Sequence, residues 1–245
     1  MIPRRKPDAR LSRDPRNADY PYRATGATRR KRLWGEGVCL DQWMLAGCVG
    51  FAWTGMLLTD PVPPTKQPTR RQGNRFARVV YNRALKVDSW PGEDKDEGTD
   101  TNAGAKVLRS LGLIEGYQWC ETVDDITDAL VTTGPVILSV PWYQGMNNAN
   151  NGKVRVPTTA DGKLTGYHCL LLTGYDPDRD GVESFRWRNS WGPHYGEGGS
   201  AWISGEDLRR LFYYKWPRFG EEAIGDACVA IGRKPATIPA KSRRR

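Results

Sequence analysis

Q-W-M-L-A-G-C-V-G-F-A-W-T-G-M-L, residues 42–57, contains a short turn-like stretch followed by an apolar run that starts at Cys48. Apolar residues recur in this run at the spacing of one helix face, which predicts an α-helix: Val49, Ala52, Trp53, Met56 and Leu57. A helix N-terminus stabilises a thiolate, and Gln42, six residues upstream, can donate a hydrogen bond. A thiolate beside a donor can start acyl transfer, whereas the commoner alternative is an inert buried cysteine.

The length and composition indicate a globular protein. The chain has 245 residues, 38% of them hydrophobic, which is enough for one domain or for two small ones that share a cleft. No apolar run approaches the roughly 18 residues of a membrane span. The first residues, M-I-P-R-R-K-P-D-A-R, lack the apolar region of a secretory signal. We therefore expect no membrane association and a cytoplasmic location.

Positive charge is concentrated at the two ends of the chain. Residues 1–32 contain eleven Lys or Arg and three Asp, and residues 233–245 contain six Lys or Arg and no acid. Because the total is +9, the body between them carries −5. Basic ends suit nonspecific binding of nucleic acid or another polyanion. The alternative is that both ends are simply solvated tails.

The cysteine pattern argues against a disulfide framework and against a zinc site. The chain has an odd number of cysteines and no CxxC pair: Cys39, Cys48, Cys120, Cys169 and Cys228. We therefore expect neither a metal nor another cofactor, and a reducing compartment.

The pattern of elements predicts an α+β fold. Residues 1–32 are rich in Arg and Pro and lack apolar periodicity, so we expect a disordered basic arm. Residues 33–133 are mainly helical in pattern, residues 134–232 are mainly strand, and residues 233–245 form a basic tail. Helices are predicted near 48–57, 76–87 and 102–111 and after a Thr122-x-x-Asp125 capping box. Strands are predicted at 135–140, 168–175, 183–188, 201–204 and 227–231. A helical lobe packed on an antiparallel sheet or barrel fits this order.

Two polar residues in the second half complete a catalytic pattern. His168 is one of two histidines and opens an apolar strand, where a satisfied core histidine is the commoner case. Twenty-one residues later Asn189 begins N-S-W-G, and its amide oxygen could orient an imidazole, although the segment also reads as an ordinary turn. The order Cys, His, Asn, with a Gln six residues before the Cys, is more specific than any one part.

Four segments together resemble the papain family of cysteine peptidases over residues 33–231. They are Q-x5-C-V-G-F-A, G-P-V-I-L-S-V, Y-H-C-L-L-L-T-G-Y-D and R-N-S-W-G-x-x-Y-G-E-G-G. The compact bacterial and bacteriophage members are the most similar in style. The resemblance implies a helical lobe against a β lobe, an active site in the cleft between them, and hydrolysis of peptide bonds.

The resemblance also implies roles for individual residues. Cys48 would be the nucleophile, His168 the general base and later the acid, and Asn189 the residue that orients His168. Gln42 and the backbone N–H of Cys48 would form the oxyanion hole. A Cys–His pair of this type can rest as thiolate and imidazolium, with the thiol pKa well below about 8.5.

Further positions complete the implied site, and some depart from the family. Trp191 would cover the Asn189–His168 hydrogen bond, and Gly98 and Thr99 would lie where substrate backbone binds. Cys169 follows the histidine where alanine is usual. The basic arm is shorter than the family's larger inhibitory pro-segments, so we do not expect control by a large pro-segment.

Two other functions fit the same residues. One is a catalytically silent structural or polyanion-binding protein on a papain-like scaffold, such as a virion component. The other is a papain-like amidase or acyl transferase that uses a thioester intermediate. The presence of Cys48, His168 and Gln42 favours an enzyme over the first, and Asn189 favours a peptidase over the second.

Overall fold

A computed structural model describes residues 7–12, 14–90, 98–157, 162–213 and 225–239. Within these ranges five α-helices are present: α1 Cys48–Leu58, α2 Arg70–Ala84, α3 Thr101–Ser110, α4 Val123–Thr132 and α5 Gly205–Tyr213. The strands are β1 Arg32–Leu33, β2 Gly116–Trp119, β3 Val136–Tyr143, β4 Lys153–Val154, β5 Leu164–Arg179, β6 Val182–Arg188, β7 Ser200–Ser204 and β8 Asp226–Ile231. The predicted α+β class is confirmed.

One sheet organises these elements. Its strand order is β2-β8-β3-β5-β6-β7-β4, and β1 pairs with β5. The pairing is antiparallel except between β4 and β7. The long strand β5 pairs with β3 so that His168 lies opposite Val140. On the other side of β5, the pairing with β6 begins at Leu171 and Arg188, so His168 lies just beyond the end of β6, where Asn189 follows.

Helices cover both faces of the sheet. Alternate residues of β3 point to opposite faces, as a strand requires. Leu138 and Trp142 pack with α4 and α5 in one core, whereas Ile137 packs with α1 and α3 in another. Four of the five described helices lie in residues 33–133 and six of the eight described strands in residues 134–232, while helices from both halves flank the sheet. The division of the chain into two lobes stays a prediction.

Helix α1 begins at Cys48 as predicted, but it is not amphipathic. Ten of its eleven residues are buried, because α1 lies between the sheet and helices α2 and α3. The prediction of one apolar face is therefore wrong. Thr54, the polar residue of the run, is accommodated because its hydroxyl donates to the Gly50 carbonyl.

Capping boxes start two of the other helices, α4 and α2. The capping box at Thr122 and Asp125 opens α4, which confirms that prediction. Helix α2 begins six residues earlier than predicted, because Thr69 and Gln72 form a capping box that was missed. Its first turn carries polar residues, so the apolar periodicity starts later than the helix.

The predicted basic arm, residues 1–32, packs on the body in the part that the structure describes. The Tyr22 hydroxyl donates to Asp128 on α4 at 2.7 Å, and β1 begins at Arg32. Ala9 and Arg10 bond to the backbone of Tyr167 and Thr99. Residues 1–6 and residue 13 of the arm, and residues 240–245 of the tail, lie outside the described ranges. None of the described helices combines the length and apolarity needed to cross a bilayer.

Arg233 holds the C-terminal end of α1. Its guanidinium donates to the carbonyls of Met56, Thr59, Asp60 and Val62, and burial lowers its pKa to about 10. The Met56 carbonyl belongs to the last turn of α1 and the other three carbonyls follow the helix, so Arg233 ties the helix end to the loop after it, and its charge complements the helix dipole.

We expect Arg233→Met to lower the free energy of unfolding by about 2–3 kcal/mol, because partly buried carbonyls lose their donor. Urea unfolding measures this loss. The matched control is Lys234→Met, whose exposed pair with Glu115 at 3.8 Å contributes at most about 0.5 kcal/mol. Equal midpoints for the two variants would contradict the stabilising role of Arg233.

Candidate active site

Cys48 is the first residue of α1, so its thiol lies at the positive end of the helix dipole. The N-cap residue is Gly47, which provides no side-chain cap. The thiol belongs to the core between α1 and the sheet, and the exposed fraction of Cys48 is 0%. Cys169 of β5 lies in the same core and offers its backbone N–H to the sulfur. The nucleophile position predicted from sequence is therefore next to the strand that carries His168.

His168 is held by an amide and two indole rings. Its Nε2 is 2.8 Å from Asn189 Oδ1 in a buried hydrogen bond. The rings of Trp142 and Trp191 lie with their centroids 4.8 Å from the imidazole centroid. Nδ1 has no hydrogen-bond partner among the described residues. The arrangement fixes the ring and leaves one nitrogen for chemistry.

The structure also fixes Asn189 and its cover. Asn189 Oδ1 accepts from the Ser190 backbone N–H at 2.7 Å as well as facing His168. Trp191 is 3% exposed and lies against the imidazole, so water is kept from the Asn189–His168 hydrogen bond. The contact expected of Trp191 is present, and its role in catalysis stays a prediction.

Gln42 is oriented by the N-S-W-G turn. Its Oε1 accepts from the Ser190 hydroxyl at 2.5 Å, and its Nε2 donates to the Leu45 carbonyl at 2.9 Å. The Gln42 backbone N–H also donates to the Ser190 carbonyl at 2.8 Å. Ser190 thus joins the loop before Cys48 to the turn that carries Asn189. Sequence reasoning missed Ser190, although its place between Asn189 and Trp191 was the available signal.

Gly98 and Thr99 lie on the opposite wall of the cleft, where they contact a segment of the chain itself. We call residues 7–12 the covering segment. Ala9 N donates to the Tyr167 carbonyl at 2.8 Å, and Arg10 N donates to the Thr99 carbonyl at 3.0 Å. A Cβ on Gly98 would collide with the Asp8 carbonyl, so glycine is required for this approach. The covering segment therefore bridges the two walls beside Cys48.

Polar contacts hold the covering segment and Asp14, two residues after it. Ser12 N donates to Asp226 Oδ2 at 2.8 Å. Beyond the segment, Asp14 accepts from Lys106 Nζ at 2.8 Å and from Asn102 Nδ2 at 3.1 Å, both on α3. Composition gave no sign of these contacts, because each joins residues that are at least 88 positions apart in the sequence.

The covered site holds a neutral thiol. Burial raises the pKa of Cys48 to about 11, and the Asp8 carboxylate adds to this, while backbone N–H groups of Cys169 and Asp8 offset part of it. Burial lowers the pKa of His168 to about 4, although the hydrogen bond with Asn189 raises that pKa in part. The prediction of a resting thiolate–imidazolium pair is therefore wrong for this arrangement. The physical reason is that burial disfavours both charged forms.

The described cysteines form no disulfide, and the described side chains form no metal-binding cluster. All five cysteines are described and free, and each is buried. Within the described ranges, no cluster of three or more His, Cys, Asp or Glu side chains could hold a metal ion.

Comparison with known protein families gives one match that covers half of the chain. The family described as "Papain family cysteine protease" matches residues 86–208. This range includes Gly98, Thr99, His168, Asn189 and Trp191 and starts after Cys48.

Two characterised proteins show similarity in sequence. Cysteine proteinase 2 of Zea mays is 24% identical over 186 residues, which are 74% of this chain and 47% of that protein. Cathepsin B-like CP3 of Giardia intestinalis is 35% identical over 74 residues, which are 30% of this chain and 24% of that protein. The chain thus spans about half or less of the length of these relatives.

Solved structures share the fold. Xylellain, a cysteine protease from Xylella fastidiosa, superposes with a TM-score of 0.67 at 20% identity, covering 96% of this chain and 100% of that one. Digestive procathepsin L 3 of Tenebrio molitor gives 0.57 at 15% identity, covering 94% and 76%. At these identities the likeness establishes the fold alone.

Proposed function

Since this chain belongs to the papain family of cysteine proteases, we propose that it hydrolyses peptide bonds with Cys48 as the nucleophile. The observation that carries this proposal is the buried 2.8 Å contact between His168 Nε2 and Asn189 Oδ1, beside a cysteine at a helix N-terminus. The substrate is a peptide or a protein, and the proposal needs no metal and no cofactor.

The chemistry starts with a proton transfer. Nδ1 of His168, which the Asn189 contact leaves available, takes the proton of the Cys48 thiol. The thiolate attacks the carbonyl carbon of the scissile bond, and a tetrahedral oxyanion forms. The Cys48 backbone N–H and the Gln42 amide would donate to that oxygen, a contribution typically worth about 10²–10³ in kcat for one donor.

The second half of the reaction returns the proton. The imidazolium of His168 protonates the leaving amine, the C–N bond breaks, and a thioester on Cys48 remains. Neutral His168 then removes a proton from water, which attacks the thioester and releases the carboxylic acid and the thiol. Asn189 and Trp191 keep the imidazole oriented throughout, because they hold its other nitrogen and its ring face.

The covering segment must leave before substrate binds. Cys48 has no exposed surface while residues 7–12 lie between Tyr167 and Thr99. Departure of the segment rehydrates the site, so the burial that raises the Cys48 pKa and lowers the His168 pKa is relieved. The closed arrangement is thus the resting form in this proposal, and the open form is the active one.

Two measurements test the proposed activity. A thiol-directed epoxide should label Cys48 in the full chain, as located by mass spectrometry of the digested protein. Cleavage profiling on a peptide library should then show amide hydrolysis that the epoxide abolishes. Labelling without cleavage of any peptide would favour an amidase or acyl transferase. Absence of both labelling and cleavage would favour the catalytically silent scaffold.

The basic ends support a second, separable proposal, which is nonspecific binding of a polyanion. Residues 1–32 and 233–245 carry +8 and +6 on a body of −5. Cytoplasmic location and the likeness to bacteriophage members stay predictions.

We expect duplex-DNA binding by the full chain to fall by about 10³-fold between 50 and 200 mM salt if about six phosphates are contacted. Because the arm covers the cleft, charge substitution is a cleaner test than shortening the chain. Changing Lys241, Arg243, Arg244 and Arg245 to Gln should weaken binding and flatten the salt dependence, with peptide cleavage unchanged. DNA affinity equal to that of the parent protein would rule out the tail as a binding element.

A further inference from the structure

Helix α2 presents a continuous row of basic side chains to solvent. Its buried residues recur on one side, where the helix packs against α1 and α3: Gly73, Ala77, Val80, Tyr81 and Ala84. Basic and amide side chains recur on the opposite side at spacings of three and four residues, which place them on one helix face. We call this set the basic face: Arg71, Arg75, Arg78, Asn82, Arg83 and Lys86. All of its members are exposed except Arg75, which is partly exposed.

The charge of this helix is opposite to that of the rest of the body. Residues 61–87 contain seven Lys or Arg and no Asp or Glu, although residues 33–232 carry −5 in total. The remainder of the body therefore carries −12. Within the described part of the chain, four members of the basic face form no ion pair: Arg71, Arg78, Arg83 and Lys86. Asp88, the first acid after α2, instead accepts from the Thr99 hydroxyl at 2.8 Å.

The basic face works against the stability of α2 itself. Arg70 and Arg71 occupy the first turn, where the helix dipole favours acids, and that turn of α2 has none. Helices α4 and α5 of the same chain each have two acids at this place. Arg71 and Arg78 also lie three or four residues from Arg75, a spacing at which like charges repel. Sequences depart from such local preferences mainly where function requires it, so the charge on α2 indicates a binding surface.

The composition of the basic face fits a nucleic-acid backbone better than a protein or a membrane. Arg, Lys and Asn side chains are among the groups that contact phosphates. A protein partner needs an apolar centre, whereas Val79 is the one large apolar side chain that α2 exposes. A membrane needs an apolar helix face, and that of α2 is buried against α1. Single strands are bound through aromatic side chains that stack on bases, and α2 exposes none. A duplex therefore fits best.

From this geometry we propose that the basic face of α2 binds the phosphate backbone of duplex DNA, without reading its base sequence. At 1.5 Å per residue, the face runs for about 18 Å from Arg71 to Arg83. One strand of a duplex advances about 3.4 Å per base pair, so this length matches about five phosphates. The face is turned away from α1, which begins at Cys48, so the site is separate from the catalytic residues. It is also separate from the two basic ends of the chain.

The experiment measures the affinity of the full chain for a fluorescent DNA duplex of about 20 base pairs over a range of salt concentrations. A triple variant, Arg71→Gln, Arg78→Gln and Arg83→Gln, should bind at least about tenfold more weakly at low salt. The slope of log Kd against log salt should fall by about 3, since each lost phosphate contact removes about 0.9. Glutamine forms helices well and the three positions are exposed, so the variant should fold, which urea unfolding checks.

The matched control removes the same charge near β4, the edge strand of the sheet, through Lys153→Gln, Arg155→Gln and Lys163→Gln. These three side chains are exposed, and the control variant should keep an affinity within about twofold of the parent value, because salt screens distant charges. Peptide hydrolysis should be unchanged in both triple variants, so the result is independent of the proposed peptidase function.

Lysine acetylation gives a readout that binding by the basic ends cannot produce. A saturating amount of the duplex should slow acetylation of Lys86, on the basic face, and leave acetylation of Lys153 unchanged, since both are exposed in the free protein. Equal loss of affinity in the two triple variants, or a Lys86 that DNA does not protect, would overturn the site. Tighter binding of poly-glutamate than of DNA at the same salt would also overturn it, in favour of an acidic protein partner.

Discussion

Cys48→Ala should lower kcat/KM for peptide hydrolysis by at least about 10³-fold, because the thioester of the proposed reaction forms on the Cys48 sulfur. The fold should persist, since alanine is accepted at a helix start and the lost sulfur is a single atom of the core between α1 and β5. The measurement is steady-state hydrolysis beside urea unfolding of the same preparation.

Two other cysteines serve as matched controls for this variant. Cys39 and Cys228 are also buried and free, but neither is at the start of α1. Cys39→Ala and Cys228→Ala should therefore leave kcat/KM within about twofold of the parent value. Because both cysteines are buried, each substitution should lower the free energy of unfolding modestly. Turnover retained in Cys48→Ala would remove Cys48 as the nucleophile.

Asp14→Ala should increase the rate of epoxide labelling of Cys48, and kcat/KM with it, by about tenfold. Asp14, two residues after the covering segment, anchors the chain through Lys106 at 2.8 Å and Asn102 at 3.1 Å. Losing a partly buried, charge-assisted contact of this kind costs about 1–3 kcal/mol. Because the contact is made only in the closed form, its loss destabilises the closed form relative to the open one. When the closed form dominates, the fraction of open molecules rises by the same factor as the equilibrium constant for opening.

Asp19→Ala is the matched control for the anchor. Asp19 belongs to the same arm but is exposed, so its removal should leave the labelling rate unchanged. Lys106→Met removes the partner of Asp14 and should reproduce the increase. Labelling rates that are equal in the parent, Asp14→Ala and Lys106→Met would show that the segment does not limit access to Cys48.

The parts of the site that sequence could predict are those encoded by local pattern. The N-S-W-G motif and an isolated histidine predicted the pairing of Asn189 with His168, and the structure brings the two side chains together. The prediction that His168 opens its strand is wrong, because β5 begins four residues earlier, at Leu164. The family resemblance is confirmed by the match over residues 86–208. Capping boxes at Thr122 and before α2 are equally local, although the second was overlooked.

The parts that sequence could not predict depend on distant contacts. The covering segment has the composition of a disordered arm, and its binding rests on backbone hydrogen bonds to Tyr167 and Thr99, which no side-chain pattern encodes. The raised pKa of Cys48 follows from burial under that segment, so reasoning from the helix dipole alone gave the wrong direction. Dipole and burial act in opposite directions here, and burial is the larger effect.

The covering segment also provides an internal reporter of how often the site opens. Its amide protons at Ala9 and Arg10 are hydrogen bonded, yet the segment has only three apolar side chains, Pro7, Ala9 and the partly exposed Leu11, so we expect it to detach without disturbing the sheet. Those amides exchange with solvent through detachment, whereas amides of β3 exchange only when the whole domain unfolds. The ratio of the intrinsic exchange rate of the Ala9 and Arg10 amides to their observed rate therefore measures the free energy that separates the covered site from the accessible one.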